Sequence, residues 1–500
     1  MAGFTKWVFR LLPTVLLTGC VGLPSVGPDY EGVAYPGANE WVTVSSIYEP
    51  VSSEQIETVL ASWWTQLSDP QLDQLIAQAL KNNQDIAQAR ARLLQARARR
   101  DVAVSDLYPS LGARGSVAPT NYGSSRQADR TQFDAGFDAS WEVDVFGGNR
   151  RGLQAAQAQQ EGALASLHNV QVTIAAEVAQ NYVDLRNAQH RLGLVRRNIR
   201  MQQDALQIAR WRYEAGLVRQ TDVDQARANL AQTQAGLPDL EISVARAANR
   251  LAVLVGETPG TLQNLLETSG ALPSVPDTIG TAIPVKVLTQ RPDVRVAERD
   301  LAAQTALIGQ QLAQRYPSLD LSGSFSWAAY SLSGLGTIDV FVSRLVARLA
   351  MVLFDAGRLK NLVEAQTQAQ QAALANYESV ILTALEEVEN ALLAHALSRE
   401  KTRAWRQAAA ASSSAATQSL QLYQSGLVDF EQVLLTQRTE LSAQDSLAQA
   451  RANEVTTLIQ LYKALGGGWQ PETENEASAQ TKPAETVTAP SKTSTQAAPL

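Results

Sequence analysis

The sequence predicts a mainly α-helical protein that also carries membrane β-strands, is built from two copies of one unit, and closes only when several chains assemble. Three observations support this prediction. The tetrapeptide Tyr-Pro-Ser-Leu occupies residues 108–111 and returns at residues 316–319, 208 positions later. Some stretches alternate strictly between apolar and polar residues, and long stretches without proline repeat apolar residues every seven positions.

The two copies of the unit occupy residues 70–260 and 278–468. A second shared pattern, Tyr-x-x-Gly-Leu-Val, begins at Tyr213 in the first copy and at Tyr423 in the second. Each copy is predicted to contain, in order, a helix, two strands, a long helix, a turn and a returning helix. Such duplication predicts one structural unit used twice.

Four strands are predicted, at about residues 110–118, 132–146, 317–328 and 340–354. From residue 133 to residue 145, odd positions are apolar and even positions are polar or glycine, which is the period of a strand and not of a helix. A soluble sheet with one buried face shows the same alternation and remains an alternative. Because the rest of the chain predicts long helices and no layer to cover such a sheet, the sequence favours strands that face lipid.

Four strands from one chain cannot close a barrel, and lipid does not tolerate an open strand edge. The chain is therefore expected to oligomerise. Two chains give eight strands around a filled interior, three give twelve around a water path, and the alternation does not decide between them. The charged residues expected to face the interior are Asp134, Asp138, Glu142, Asp144, Arg344 and Arg348.

Long helices are predicted to occupy most of each copy. Residues 150–213 contain no proline, and mostly apolar residues recur there at seven-residue intervals, which predicts a left-handed coiled coil. A simple coiled-coil stalk is the alternative, but alanines on the other faces allow packing on both flanks, as a cylinder wall requires. The long helices are predicted to turn at tips near residues 216–222 and 426–431, where Gly216 and Gly426 suit a helix end.

The two ends of the chain are predicted to lie outside this fold. Residues 1–19 are expected to be a signal peptide, because Lys6 and Arg10 precede a short apolar run and small residues lead to Cys20, the only cysteine. Cys20 stands where a lipoprotein signal has its acylation site, and a plain secretory signal is the alternative. Residues 470–500 lack any apolar period and are predicted to be a disordered tail.

No catalytic or metal site is predicted. His168, His190 and His395 lie in long helices at spacings that form no metal cluster, and no glycine-rich phosphate loop precedes a lysine. The net charge of −7, with both signs interspersed, does not favour nucleic-acid binding. We expect neither an enzyme nor a cofactor, apart from a covalent lipid on Cys20.

Five short motifs occur in order along about residues 20–469. They are Gly-Pro-Asp-Tyr at Gly27, Trp-Trp at Trp63, Arg-Pro-Asp-Val at Arg291, Leu-Phe-Asp-x-Gly-Arg at Leu353 and Leu-Tyr-Lys-Ala-Leu-Gly-Gly-Gly-Trp at Leu461. Together they resemble the TolC-type outer-membrane factors of resistance–nodulation–division multidrug efflux systems, and particularly the lipidated, OprM-like branch.

The resemblance implies a homotrimer, in which a twelve-stranded β-barrel in the outer membrane continues into an α-helical barrel across the periplasm. The N-terminal segment, residues 20–69, and the residues near Gly466 to Trp469 are implied to form an equatorial belt. Val21 after the acylated cysteine implies sorting to the outer membrane. The implied partners are a periplasmic membrane-fusion adaptor, an inner-membrane pump of the resistance–nodulation–division class, and outer-membrane lipid.

The resemblance also assigns roles at the helix tips. The residues that match adaptor-docking tips are Gly216, Leu217, Val218, Gly426, Leu427 and Val428. In the family a tyrosine–aspartate contact helps to hold the tip closed, and Tyr423 and Asp222 match that gate. A basic residue that often assists this contact falls at Val428, so this element is absent.

The aperture departs from the family pattern. The family's pore-constricting aspartates fall at Gln432 and Leu435, which cannot form an acidic ring. Asp429 and Glu431 are candidate substitutes, although Asp429 equally suits a helix cap.

The predicted function is a passive duct, the outer-membrane component of a tripartite efflux pump for drugs or other small solutes. One alternative is the exit duct of a type I protein-secretion system, and another is a structural coiled-coil lipoprotein without a pore. The lipoprotein signal and the Gly-Gly-Gly-Trp motif favour efflux.

Overall fold

The computed structural model describes residues 24–32, 59–121, 130–262, 270–276, 288, 290–335 and 341–469. The predictions for the signal peptide at 1–19, for Cys20, for much of the segment 20–69 and for the tail at 470–500 lie outside the described residues.

The two copies of the unit contain corresponding elements in the same order. The first copy consists of α1 (Pro70–Asn82), α2 (Gln84–Ser105), β1 (Ser110–Thr120), β2 (Arg130–Val143), α3 (Gly148–Glu214), α4 (Gln220–Ala235) and α5 (Leu237–Leu254). The second consists of α6 (Pro292–Ala313), β3 (Ser318–Ala329), β4 (Phe341–Ala350), α7 (Arg358–Gln424) and α8 (Phe430–Ala464). A short 3-10 turn, Trp63–Leu67, precedes α1.

The returning helix differs between the copies, where the sequence predicted one helix in each. In the first copy it is divided into α4 and α5 at Gly236, and Pro238 lies in the first turn of α5. Proline lacks a backbone N–H and its ring clashes with the preceding turn, so it is tolerated at a helix start and not in a helix interior. The corresponding α8 contains no proline and runs unbroken for 35 residues.

The helices α3 and α7 are each 67 residues long, and therefore extend about 100 Å at 1.5 Å per residue. Each begins after a glycine with positive φ, Gly147 or Gly357, and is followed at its other end by another, Gly216 or Gly426. Side chains other than glycine rarely adopt this left-handed backbone. These glycines set where the two long helices begin and end.

The helices lie side by side in one layer. Helix α3 packs against α6 and α8, and α7 packs against the same two helices from their other side. Helices α2, α5 and α4 pack on the opposite flank of α3. The layer therefore ends in α7 on one flank and in the α2, α5 and α4 group on the other.

The strands form one antiparallel sheet in the order β1-β2-β3-β4. Strands β2 and β3 join the two copies, with Phe137 opposite Phe325. Within the described residues, β1 and β4 each have one edge without a partner strand.

Two strands end earlier than the sequence predicted. Strand β2 ends at Val143 and not at residue 146, because the backbone carbonyl of Phe146 accepts a hydrogen bond from the N–H of Val26. Strand β4 ends at Ala350 and not at residue 354, because its partner β3 begins at Ser318, directly opposite Ala350. In the first case the chain beyond the strand bonds to a segment outside the sheet, and in the second the neighbouring strand stops pairing.

The main hydrophobic core lies where α1, α3, α5 and α8 meet the Trp63–Leu67 turn. The rings of Trp63 and Tyr462 stack with centroids 5.4 Å apart. The Gly-Gly-Gly-Trp motif closes over this core, since the N–H of Gly468 donates to the carbonyl of Leu60 and Trp469 stacks on His168 at 4.3 Å. Residues 60–67 and 462–469 are thus packed together at the middle of the helical layer.

Candidate functional site

The sheet has one polar face and one apolar face, as the alternation predicted. On the polar face Glu142, Asp320 and Arg348 lie side by side on three strands. Four residues from Glu142 along β2, Asp138 forms an ion pair with Arg114 of β1 at 2.9 Å. A face with charges of both signs is suited to water and not to hydrocarbon.

Asp144 is not part of this polar face, although the sequence placed it there. It lies beyond the end of β2, and its carboxylate accepts hydrogen bonds from the backbone and guanidinium N–H groups of Arg150 at 2.9 and 3.2 Å. The carboxylate therefore holds the start of α3 and does not line the sheet.

The opposite face of the sheet is apolar. Phe325, Trp327 and Phe341 form an aromatic cluster with ring centroids 4.5 to 5.8 Å apart. Leu345 and Leu349 of β4 lie on the same face and are 78% and 72% exposed. Exposed leucines and clustered aromatics on one face of a sheet are typical of strands that contact lipid.

The two helix turns lie together at the far end of the layer. Leu217 is 67% exposed and Leu427 is 72% exposed. The valines that follow them differ in environment, because Val428 packs against a small cluster that includes Tyr423 and Phe430. Each turn therefore presents an exposed leucine at the residue after its glycine.

Tyr423, assigned to the gate, is buried at the end of α7. The guanidinium of Arg212 lies 4.5 Å from its ring centroid and donates a hydrogen bond to its backbone carbonyl. Burial raises the pKa of Tyr423, nearby Arg212 opposes this shift, and nearby Asp222 adds to it. The structure thus brings Asp222 near Tyr423, but among the described residues the tyrosine hydroxyl has no hydrogen-bond partner. The predicted gate contact remains a prediction.

Arg212 is a tip residue that the sequence analysis missed. The basic residue of the family pattern falls at Val428, which carries no charge. The repeat indicates this position, because Tyr213 corresponds to Tyr423 in the other copy and Arg212 immediately precedes Tyr213. A cation over an aromatic face stabilises the contact by about 0.5–2 kcal/mol.

The aperture candidates lie at the start of α8. Asp429 is the N-cap residue, and its backbone carbonyl accepts from the N–H of Gln432 while its side chain makes no capping bond. Glu431, Gln432 and Leu435 are exposed on the surface of the tip. An acidic substitute ring at Asp429 and Glu431 remains a prediction.

The segment 24–32 carries the Gly-Pro-Asp-Tyr motif and is held beneath the sheet by Arg151. The guanidinium of Arg151 is buried, bonds to Asp29 at 2.7 Å, and donates to the carbonyls of Val26 and Gly27. A Cβ on Gly27 would lie 2.4 Å from the Cα of Gly309, and Gly27 also has a φ of +94°. The motif glycine is therefore required by both space and backbone conformation.

No group of three or more His, Cys, Asp or Glu side chains is placed to hold a metal ion in the part of the chain that the structure describes. No helix there is long and apolar enough to cross a membrane.

The model of the outer membrane efflux protein family matches residues 75–257 and matches again at residues 283–467. The chain belongs to the outer membrane efflux protein family. The two matched segments correspond to the two copies of the unit.

Similar members of the family serve different export systems. The efflux protein is 30% identical over 482 residues to the pyoverdine export outer membrane protein OpmQ of Pseudomonas aeruginosa, covering 92% of this chain and 96% of that one. It is 28% identical over 468 residues to the cation efflux system protein CusC of Escherichia coli O6:H1, covering 92% of this chain and 99% of that protein. The solved outer-membrane channel OprN is 34% identical and superposes with a TM-score of 0.82, over 89% of this chain and 100% of that chain.

These matches confirm the predicted fold class and the predicted resemblance. The efflux protein has the TolC-type architecture of a helical barrel joined to a membrane sheet, and it is the outer-membrane channel component of an efflux system.

Proposed function

We propose that the chain forms a passive, homotrimeric duct that carries drugs or other small solutes from a periplasmic adaptor and an inner-membrane pump to the cell exterior. The observation that carries this proposal is a sheet with an apolar face, a charged face and two free edges, joined to a helical layer of about 100 Å. Such a sheet is stable in lipid only when other copies close it.

Closure into a ring is supported by matching flanks. Within the described residues, β1 and β4 are the strands with a free edge, and the flanks of the helical layer are α7 on one side and the α2, α5 and α4 group on the other. In the sheet and in the helical layer alike, the first copy of the unit supplies one side and the second copy supplies the other. A single rotation axis therefore pairs β4 with the next β1 and α7 with the next α2, α5 and α4 group. Three chains give the twelve strands that leave a water path.

The duct itself is proposed to do no chemistry and to bind no cofactor. The charged side chains of the sheet lie on its polar face, where Glu142 is beside Asp320 and Arg114 pairs with Asp138. Passive conduction needs only such a wet wall, so the energy for export comes from the pump. The adaptor is proposed to dock on the exposed leucines of the two tips, Leu217 and Leu427.

Acylation of Cys20 is proposed to add a lipid anchor to the barrel. The described N-terminal segment lies directly under the sheet, where Val26 bonds to Phe146 and the carbonyl of Pro24 accepts from Arg150. Cys20 precedes Pro24 by four residues, which span at most about 14 Å when extended. A lipid attached within that distance of Pro24 would reach the membrane surface that meets the end of β2, which supports the proposal. Loss of radiolabelled palmitate from a Cys20→Ser variant, with the chain still produced, would support the anchor.

Deletion and complementation of the gene test the proposed function. Deletion should sensitise cells to several unrelated toxic compounds, and a plasmid copy should restore resistance. Unchanged susceptibility together with lost export of a polypeptide would contradict the efflux proposal and would favour a protein-secretion duct.

A further inference from the structure

A cleft rich in arginine lies in the middle of the helical layer, far from the sheet and from the tips. It encloses about 510 Å³. Its walls are α3, α7, α8 and the segment 270–276, which is named the strap here. Within the layer α8 contacts both α3 and α7, so the three helices that line the cleft are neighbours.

The charge of the cleft is strongly unbalanced. Helix α7 contributes three arginines at helical spacing along one face, and α8 contributes a fourth; these are Arg399, Arg403, Arg406 and Arg451. Among the described lining residues the one carboxylate is Glu454, which lies 4.0 Å from Arg399. Within the described part of the chain, no ion pair or hydrogen bond involves the guanidinium groups of Arg403, Arg406 or Arg451.

The wall opposite the arginines is fixed. The backbone N–H and the hydroxyl of Ser274 both donate to the carbonyl of Leu67, at 3.2 and 3.3 Å. Pro273 and Pro276 flank this serine and restrict the backbone on both sides. The strap therefore stands as a stiff, partly apolar wall, since Leu272 and Val275 also line the cleft.

Arg403, Arg406 and Arg451 are exposed to water, and the strap stands beside them as a stiff, partly apolar wall. On that side the wall excludes part of the water that would screen the guanidinium groups, which strengthens both their mutual repulsion and their attraction for an anion. Guanidinium groups bind carboxylate and phosphate oxygens through paired hydrogen bonds. Side chains three or four residues apart on a helix lie about 5–6 Å apart, so one compact anion can contact two or three of them.

We propose that this cleft binds a compact anion that carries two or more carboxylate or phosphate groups. Arg403, Arg406 and Arg451 would hold the anionic groups, and the strap would close the site on its other side. Two sources in the periplasm can present such groups, namely a free multivalent anion and the peptide carboxylates of the cell wall. The proposal goes beyond export, because the cleft lies outside both the sheet and the gate.

Direct binding to the purified, detergent-solubilised full-length protein tests this site. We expect saturable calorimetric binding of citrate or pyrophosphate at low salt, and at least tenfold weaker binding of acetate. The double variant Arg403→Gln/Arg406→Gln should weaken binding at least tenfold, and Arg451→Gln should also weaken it. The matched control is Arg92→Gln/Arg99→Gln, which removes the same charge from exposed positions of α2 and should change the affinity less than twofold.

Co-sedimentation with purified cell-wall sacculi distinguishes the two sources. Sedimentation that depends on Arg403 and Arg406, without binding of free citrate or pyrophosphate, would assign the site to the cell wall. Binding of the free anions alone would assign it to a soluble ligand. The proposal is overturned if the wild type binds none of these probes, or if the control double variant loses as much binding as the cleft variants.

Drug resistance separates this test from that of the proposed function. The cleft arginines and the control arginines lie outside the sheet and the tips, so resistance should stay at the wild-type level in all variants.

Discussion

A single arginine placed on the apolar face of β4 should prevent assembly of the duct in membranes. Leu345 lies at the centre of the ten-residue strand, is 78% exposed, and shares its face with the aromatic cluster of Phe325, Trp327 and Phe341. An arginine at the middle of a membrane strand costs about 2–4 kcal/mol when it faces lipid. Three copies in one ring would therefore lose about 6–12 kcal/mol, which is of the same order as the free energy of unfolding of a typical domain, about 5–15 kcal/mol.

The neighbouring residue supplies the control. Val346 lies on the opposite, polar face of the same strand, between Arg344 and Arg348, because successive strand residues point to opposite faces. Val346→Arg places the same side chain at the same depth but in the water path, so assembly should stay close to the wild-type level. Leu349→Arg, on the apolar face but one residue from the strand end, should have an intermediate effect because the cost falls towards the membrane surface.

The assay is the fraction of chain found as a trimer in outer membranes, by native gel electrophoresis, together with resistance in the deletion strain. We expect a loss in the order Leu345→Arg, then Leu349→Arg, then Val346→Arg. Equal assembly of Leu345→Arg and Val346→Arg would refute the assignment of the two faces. A greater loss for Val346→Arg would show that the apolar face lines the interior.

Three further predictions concern the tip, the N-terminal segment and a buried histidine. Arg212→Gln removes the cation over the Tyr423 ring and a hydrogen bond to its carbonyl, so single-channel conductance in planar bilayers should rise, whereas an unchanged conductance would exclude a role in the gate. Gly27→Val places side-chain atoms against Gly309, so limited proteolysis should release the N-terminal segment sooner than in Gly32→Val, where the added Cβ meets nothing within 4 Å. Burial lowers the pKa of His395 to about 4, so the folded state keeps it neutral while the unfolded chain takes up a proton below about pH 6.5. Its contribution to the free energy of unfolding is therefore intact above pH 6.5 and falls by up to about 3 kcal/mol as the pH decreases towards 4. The melting temperature of His395→Gln should lose that part of the pH dependence. Identical pH profiles for the wild type and the variant would contradict this prediction.

The strands and the long helices could be predicted because their signals are local and periodic. The alternation depends only on the side-chain period of a strand, and it places residues 133–143 correctly on one face or the other of the sheet, whereas Asp144 lies beyond the end of β2. The ends of the strands could not be predicted in this way. Strand β2 stops at Val143 because Phe146 pairs with Val26, which is 120 residues earlier in the chain.

Contacts between distant residues explain what the sequence analysis missed at the tip. Arg212 lies over Tyr423 only because α3 and α7 end at the same level, which follows from their equal lengths of 67 residues and from glycines at both ends. The heptad pattern describes each helix separately and carries no information on which residue of one helix end meets the other. The same reason hid the arginine cleft, whose walls come from three helices and from the strap between the copies.

The duplication also explains how one chain can supply both an edge and its complement. Each copy contributes two strands and one long helix, but the outer strand of the first copy is β1 and that of the second is β4. The two flanks of the chain therefore have different sequences, as a head-to-tail ring requires. Arg344 and Arg348 lie at one edge and Arg114 at the other, so they meet only where one copy joins the next.

The charge of the proposed lumen should alternate around its wall. The polar face of β1 carries one arginine and that of β4 carries two, so the seam between copies is its most positive part. The seam between β2 and β3, with Glu142 beside Asp320, is its most negative part. A trimer would repeat this alternation three times around the wall, so replacing Arg344 and Arg348 by glutamine should shift the single-channel selectivity towards cations. An unchanged reversal potential in a salt gradient would show that these arginines do not face the conducting path.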